Sequence, residues 1–532
     1  MSENFSKTAQ LIHFMFKRER INSTLWIIGL VALTVLVAIA FENMYSTPEE
    51  LLGMAETMKN PAMIAMVGPV FGETYTLGAM MSQMMLLFTG IAVATMSIFI
   101  VIKHTRADEE SGRFELIRSR PVGKLADIKA TMSVVFIVNL IMAVLIAIGL
   151  AILNIDSMDL TGSIVYGASI GVIGIFFASI AALAAQISST RSGAYTISFI
   201  ALAVMYIMRA IGDAGSNFLA YISPLGLFMH GAPYVYNVWW PLIIIFVISI
   251  LINLVVFILK SKRDLGEGLI AAKKGRSDAK NSLLSPMGLS LKLLRGMLIG
   301  WFITMFVFGA SYGSIFGDLE SFLEGNEMMQ QIFLSNTDFT FAEQFLTTLL
   351  VMYSMFITVP VLLILNKIRT EEKKGRIEHL YTKPIARRKV FANYILITLV
   401  SSIIMMTLFV VGLWAAAYTV MAEPLLLTTA LAAGLVYLPA IWVMMGLAAF
   451  LIGNAPKRFN LIWYYAAGAF VVLYIGRMLN FPEWLDKLFP FAYVPQVPVE
   501  HFEIMPLIIL TALANILFMA AMRGYEKRDI TN

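Results

Sequence analysis

The sequence contains no cysteine, only five histidines and few charged residues, which make up 14% of its 532 positions. Without cysteine the chain has no disulfide, no thiolate metal ligand and no cysteine nucleophile. Soluble globular chains are about 25% charged, so this chain lacks the polar residues that would cover a large soluble catalytic domain. The net charge of +5 is too small to indicate nucleic acid binding. With these classes of protein excluded, the composition indicates a polytopic membrane protein.

Apolar residues are abundant instead, at 59% of the chain. A membrane-spanning helix needs about 20 mostly apolar residues, and twelve segments meet that requirement. The predicted fold is therefore an all-α polytopic membrane protein. Its predicted spans are residues 23–42, 77–101, 131–153, 163–185, 194–210, 238–259, 297–316, 344–365, 391–418, 425–452, 460–478 and 505–522.

The basic residues lie in alternate loops. All but four of the 39 lysines and arginines fall on one predicted side, the exceptions being Lys59, Arg209, Arg477 and Lys487. Basic loops face the cytoplasm, so both termini are predicted to be cytoplasmic. Residues 38–40 resemble a signal-peptide cleavage site, but the apolar run before them is too long for a signal peptide.

Two loops repeat a pattern 263 residues apart, at residues 106–121 and 369–384. A Lys-Arg-Asp sequence also repeats, at residues 262–264 and 527–529. The repeats indicate two parallel six-span halves related by an axis along the membrane normal. The predicted segments are an interfacial N-terminal helix at 1–22, a first half at 23–259, a cytoplasmic linker at 260–296, a second half at 297–522 and a cytoplasmic tail at 523–532. The paired loop positions are Arg106/Arg369, Glu109/Glu372, Gly112/Gly375, Arg113/Arg376, Glu115/Glu378, Arg120/Lys383 and Pro121/Pro384.

Each repeated loop is predicted to form a short amphipathic helix after a glycine. Glu109 and Arg113 stand at a spacing typical of helical ion pairs, as do their counterparts Glu372 and Arg376. Gly112 is a poor residue inside a helix and predicts a break there, while the following proline ends the short helix. An ordinary basic loop is the alternative, although the positive-inside rule does not require the repeated acidic residues.

With these loops the chain resembles the permease subunit of bacterial ABC-2-type exporters, specifically the fused twelve-span permeases of polyketide antibiotics or tetronasin. The resemblance is carried by the Glu-Glu-x-x-Gly-Arg-x-Glu pattern at 109–115 and 372–378, the Lys-Arg-Asp tails, and Ser-Pro-Leu-Gly at 223–226. It implies a location in the bacterial plasma membrane and export of a hydrophobic or amphipathic antibiotic, peptide or lipid-like compound.

The resemblance also implies that each loop is a coupling helix docked on one of two copies of a separate ABC ATPase, which would carry ATP and Mg²⁺. This chain contains no Gly-x-x-x-x-Gly-Lys-Ser/Thr sequence of its own, so no ATPase site, catalytic residue or resident cofactor is expected. The residues assigned to coupling by this resemblance are Glu109, Gly112, Arg113, Glu115, Arg118, Arg120, Pro121, Glu372, Gly375, Arg376, Glu378, Lys383 and Pro384.

Other residues are candidates for the substrate path. Met80 and Met84 belong to a methionine cluster that would suit varied hydrophobic compounds, although a core or lipid-facing role is the alternative. Arg209 and Arg477 are candidates for contact with an anionic substrate, with snorkelling to the membrane interface as the alternative. The five histidines are scattered, so no metal site is expected.

Three other functions remain open. An ion-coupled secondary transporter also builds twelve spans from two parallel halves, but it normally carries acidic or histidine relays within its spans. Such residues are nearly absent from the predicted spans. A membrane-embedded enzyme finds little support in the scattered histidines, and a transporter-like sensor is compatible with the same sequence.

Overall fold

Helices make up most of the protein in the computed structural model, which describes residues 3–45, 47–59, 61–215, 217–264, 266–270, 278–318, 340–421, 426–475, 482 and 484–529. No β-strand occurs within these ranges. The chain divides into two compact units, Met1–Gly275 and Arg276–Asn532. The boundary between the units lies within residues 260–296 of the predicted linker.

The first unit contains long apolar helices separated by short polar ones. Its helices are α1 (Thr8–Met44), α2 (Pro48–Met58), α3 (Pro61–Val67), α4 (Leu77–Met84), α5 (Leu86–His104), α6 (Arg106–Glu110), α7 (Arg113–Arg118), α8 (Ala126–Ile152), α9 (Leu160–Ile187), α10 (Arg191–Ala214), α11 (Asn217–Ile222), α12 (Pro224–Met229) and α13 (Trp240–Lys262). Helix α9 packs against α5, α8, α10 and α13 and forms the centre of the unit.

The second unit repeats this alternation. Its helices are α14 (Pro286–Gly313), α15 (Phe341–Lys373), α16 (Glu378–Tyr381), α17 (Arg387–Val420), α18 (Leu427–Leu435), α19 (Leu438–Asn454), α20 (Leu461–Phe470) and α21 (Ile504–Lys527). Its extended buried core draws on residues from Leu294 to Tyr525, and the main core of the first unit on residues from Leu11 to Val256.

Eleven helical stretches of the described chain are long and apolar enough to cross a membrane. They agree with every predicted span except 460–478. That segment forms α20 and a further turn to Ile475, and its remainder lies outside the described residues. The chain is thus a multi-pass protein by helix length and composition, and the count of twelve stays a prediction.

Helix α1 differs from the prediction at its start. The expected interfacial helix at 1–22 and the first span at 23–42 form one continuous helix, Thr8–Met44. No proline interrupts this stretch, so nothing forces a break between the basic and the apolar part. The last helix before the linker runs to Lys262, and the first helix after the linker begins at Pro286. Both extend into the segment predicted as the linker.

Candidate functional site

The first repeated loop (residues 106–121) follows α5, which ends at His104, and consists of α6 and α7. Between the two short helices Gly112 adopts φ 72°, a left-handed conformation that glycine accepts at low cost. The predicted break is therefore confirmed. Phe114 of α7 is only 2% exposed, and α7 ends before Pro121, which confirms the predicted helix end.

The buried side of this loop is held by Glu109, whose side chain is 2% exposed. Its carboxylate lies 2.5 Å from Lys260 Nζ and 2.6 Å from Arg263 Nη2, both at the end of α13. Arg106 lies 2.8 Å away on its other oxygen, and Lys260 also contacts Asp127 of α8 at 3.0 Å. The loop is thereby fixed to the last helix of its own unit.

Asp108 ties the same loop to α1. Its carboxylate accepts two hydrogen bonds from Arg18, at 2.5 and 2.9 Å, and one from Arg113 at 3.2 Å. The predicted pairing of Glu109 with Arg113 is therefore wrong. The break at Gly112 turns Arg113 away from helical spacing, so Arg113 reaches Asp108 instead.

Arg106 provides a third attachment. It is 1% exposed, and its guanidinium donates to the carbonyl of Ala185 in α9 at 2.6 and 3.1 Å. It also donates to the carbonyl of Glu267, after α13, at 3.0 Å. Arginine suits this role because its planar group donates in several directions.

The second repeated loop (residues 369–384) is attached to its own unit in the same manner. Glu372 accepts two hydrogen bonds of 2.7 Å from Arg528 and one of 2.5 Å from the Tyr525 hydroxyl. The Tyr525 and Tyr381 hydroxyls are 2.7 Å apart, and burial raises the pKa of Tyr381. We call each set of contacts a clamp: Glu109 with Lys260 and Arg263 in the first unit, and Glu372 with Tyr525 and Arg528 in the second. Each clamp joins a repeated loop to the end of the last helix of its unit.

The neighbouring acid also repeats its role. Glu371 lies 3.6 Å from Arg376 and 3.2 Å from Lys367, so Arg376 pairs with Glu371 just as Arg113 pairs with Asp108. The predicted pairing of Glu372 with Arg376 is wrong for the same reason, since Gly375 has φ 67°.

The two clamps share the spacing of their residues but differ in the chemistry of one side chain. Lys260 of the first clamp stands three residues before Arg263, as Tyr525 stands three residues before Arg528. Lys260 bridges to a second carboxylate, whereas the Tyr525 ring stacks on Phe391 with centroids 4.4 Å apart. One unit thus uses buried charge where the other uses aromatic packing.

The predicted coupling residues fall into three groups by the exposure of their side chains. The side chains of Glu109 and Glu372 are 2% and 7% exposed and hold the loops in place, while those of Arg113 and Arg376 are 60% and 58% exposed. Leu116 of the first loop is an apolar side chain with 75% exposure. Also exposed are Glu115, Arg120, Pro121, Glu378, Lys383 and Pro384, whereas Gly112, Arg118 and Gly375 are half-buried.

The candidate path residues are placed apart from these loops. Met80 is 0% exposed within a small core that includes Tyr75, and Met84 packs against that core. Arg209 is 0% exposed and pairs with Asp213 at 3.0 Å. Arg477 lies outside the described residues.

Arg209 also caps the end of α3. Its guanidinium donates to the carbonyls of Ala65 at 2.5 Å and Met66 at 3.3 Å, and it lies over the Tyr206 ring. These are contacts within the protein, made in the last turn of a helix whose carbonyls lack helical partners.

Sequence reasoning missed several residues of the clamps. The repeated Lys-Arg-Asp tails contain Arg263 and Arg528, so the repeat itself was a signal for their role, but nothing in the sequence joined them to the loop acids. Asp108 and Glu371 precede the paired glutamates and differ in type, which hid their equivalence. Across the described chain no group of three or more His, Asp or Glu residues has the geometry of a metal site.

Comparison with known proteins relates most of the sequence to one family. A family model described as the C-terminal domain of the multidrug efflux system permease Rv1217c matches residues 10–258 and 283–526. The multidrug efflux system permease protein Rv1217c of Mycobacterium tuberculosis (strain ATCC 25618 / H37Rv) is 30% identical over 531 residues, covering 99% of this chain and 96% of that relative. Both repeated loops lie inside the matched segments.

Proposed function

The chain belongs to the family of the multidrug efflux system permease Rv1217c, and we propose that it is the membrane subunit of an ATP-driven exporter of the ABC-2 type. Its cargo is a hydrophobic or amphipathic compound, such as an antibiotic, a peptide or a lipid-like molecule. In this proposal the chain lies in the plasma membrane of a bacterium, with both termini in the cytoplasm and twelve spans in two parallel halves. It has no ATPase site of its own.

The partner is a cytoplasmic ABC ATPase that binds as two copies and carries ATP and Mg²⁺. Each copy contacts one repeated loop. The shared exposed side chains are a cation, an acid and a second cation, namely Arg113, Glu115 and Arg120 in the first loop and Arg376, Glu378 and Lys383 in the second.

One observation carries the proposal. Each repeated loop presents matching exposed charges while a buried glutamate clamps it to the last helix of its unit, at 2.6 Å from Arg263 and 2.7 Å from Arg528. A loop that served only the positive-inside rule would require neither the buried acids nor their partners. A loop that transmits force requires both an exposed contact surface and a rigid attachment.

The attachments supply a route for that force. When ATP binding closes the two ATPase copies, each pushes on one loop. In the first unit a displaced loop pulls on α1 through Arg18, on α9 through Arg106 and on α13 through Arg263. Coupling of this kind needs packed elements that move together.

The test is charge reversal on both contact surfaces. The variant carrying Arg113→Glu and Arg376→Glu is co-expressed with the ABC ATPase that co-purifies with the unsubstituted chain. We expect it to fold but to lose co-purification of the ATPase and to lower substrate-stimulated ATP turnover by at least about tenfold, the loss typical of reversed charges at an interface. The readouts are ATPase retained per permease and phosphate release in nanodiscs.

A matched control reverses Lys59 and Lys487 instead, two exposed cations outside the repeated loops. That control should keep the ATPase bound. An unchanged complex with the first variant would contradict the docking assignment. Compound flux that follows the proton gradient with no ATPase bound would make the protein a secondary transporter.

A further inference from the structure

A groove of about 560 Å³ lies between α1 and α5 in the first unit. Leu25 and Trp26 of α1 and Phe99 of α5 form its apolar wall, and Leu25 and Phe99 are exposed. Its volume falls in the range of about 300–1,000 Å³ that is usual for drug-sized ligands. Both helices are long and apolar enough to cross a membrane, so the groove is suited to a compound that partitions into the bilayer.

One end of the groove is polar. Glu19 is buried there, with its carboxylate 2.9 Å from His104 and in an ion pair with Lys103. The Lys103 side chain is 37% exposed, and Asn22 beside it is exposed. Both face the same groove as the apolar wall.

The exposed positive charge of Lys103 at this end favours a ligand with an anionic head group. A cationic head group would meet the exposed Lys103 ammonium before the buried Glu19 carboxylate, which already has two partners. An ammonium has three donors, and Glu19 leaves Lys103 able to donate further. A carboxylate or phosphate can take those donors together with the Asn22 amide, in hydrogen bonds strengthened by charge.

We propose that this groove binds amphipathic anions of drug size, with the anionic head on Lys103 and Asn22 and the apolar body against Trp26 and Phe99. These anions are a substrate class of the transporter, so the inference rests on the proposed export function.

The groove is also linked to the first repeated loop. Glu19 contacts His104, whose other ring nitrogen lies 3.9 Å from Asp108. Asp108 in turn holds Arg18, one residue before Glu19, and the exposed Arg113. A ligand that draws Lys103 away from Glu19 therefore acts on side chains that position the loop.

The test measures direct binding to the full chain in phosphatidylcholine nanodiscs, after subtraction of empty discs. The probe is 11-(dansylamino)undecanoic acid, and its methyl ester is the neutral match. Lys103→Gln should weaken binding of the acid at least about tenfold, the loss expected when a charge-assisted hydrogen bond is removed. It should leave binding of the ester unchanged.

A second variant fills the groove. Gly29 lines it, and a Cβ atom added there meets no other atom within 4 Å. Gly29→Phe should therefore fold and weaken binding of both probes at least about tenfold, which corresponds to loss of the apolar contact. Gly300→Phe is the matched control, because Gly300 is equally open but lies on α14, away from the groove.

Acid binding that survives either Lys103→Gln or Gly29→Phe, with circular dichroism confirming the fold, would overturn the proposal. Displacement of the acid when phosphatidylglycerol is added to the discs would identify the occupant as a membrane lipid and overturn it as well. None of these measurements needs an ATPase, so failure of the ATPase test would leave this site standing.

Discussion

The buried guanidinium of Arg209 joins α10 to the end of α3, through Asp213 on one side and the carbonyls of Ala65 and Met66 on the other. Loss of one partner from a buried ion pair costs about 3–5 kcal/mol because the other charge stays uncompensated. We expect Arg209→Gln to lower stability by about that amount, measured as a lower midpoint of thermal unfolding in detergent. Binding of amphipathic anions should not change.

A double variant separates this role from a substrate contact. Replacement of both members of a buried pair by apolar residues is often neutral, so Arg209→Met with Asp213→Leu should recover most of the lost stability. If Arg209→Gln keeps the unfolding midpoint but impairs anion binding, Arg209 is a path residue after all.

The repeated loops show which parts of an element a sequence can specify. The breaks at Gly112 and Gly375 were predictable because glycine itself favours a left-handed backbone conformation. The ion pairs of Arg113 and Arg376 could not be predicted in this way. The i,i+4 rule holds only along an unbroken helix, and the same glycines that break the helix invalidate it.

The partners of Glu109 and Glu372 were hidden for a different reason. Arg263 and Arg528 stand more than 150 residues away from these acids along the chain, and only tertiary packing brings them to the loops. The internal repeat marked both the loops and the tails, yet a repeat carries no information about which repeated segments touch.

Glu109 and Glu115 make a matched pair for testing the clamp. Glu109 is buried among three cations, whereas Glu115 is exposed on the same loop. Glu109→Gln should cost about 3–5 kcal/mol and should speed amide hydrogen exchange across residues 106–118. Glu115→Gln should stay within about 0.5 kcal/mol and leave exchange there unchanged.

The second loop offers the same comparison with Glu372 and Glu378. Glu372→Gln should increase exchange around α16, because the bonds from Arg528 and Tyr525 weaken when the acceptor loses its charge. Equal exchange in the glutamine variants of buried and exposed glutamates would show that the clamps do not hold the loops.

At the scale of the whole molecule, the chain divides into two compact units that meet between residues 275 and 276. Eleven of the twelve predicted spans coincide with long apolar helices of the described chain. The continuity of α1 could not be predicted from the sequence. A basic amphipathic stretch and an apolar stretch give different local patterns even when one helix runs through both.

The same division predicts that the chain tolerates a cut between its units. Each unit has a buried core of its own, and the family match stops at residue 258 and resumes at 283. A protease site inserted between Gly275 and Arg276 should therefore be cleavable without loss of helix content in circular dichroism. Both fragments should remain soluble in detergent, because a unit with its own core keeps its fold when the covalent connection is removed. The uncut variant is the control, and aggregation or loss of helix that begins with cleavage would mean that neither unit keeps its fold without the connection.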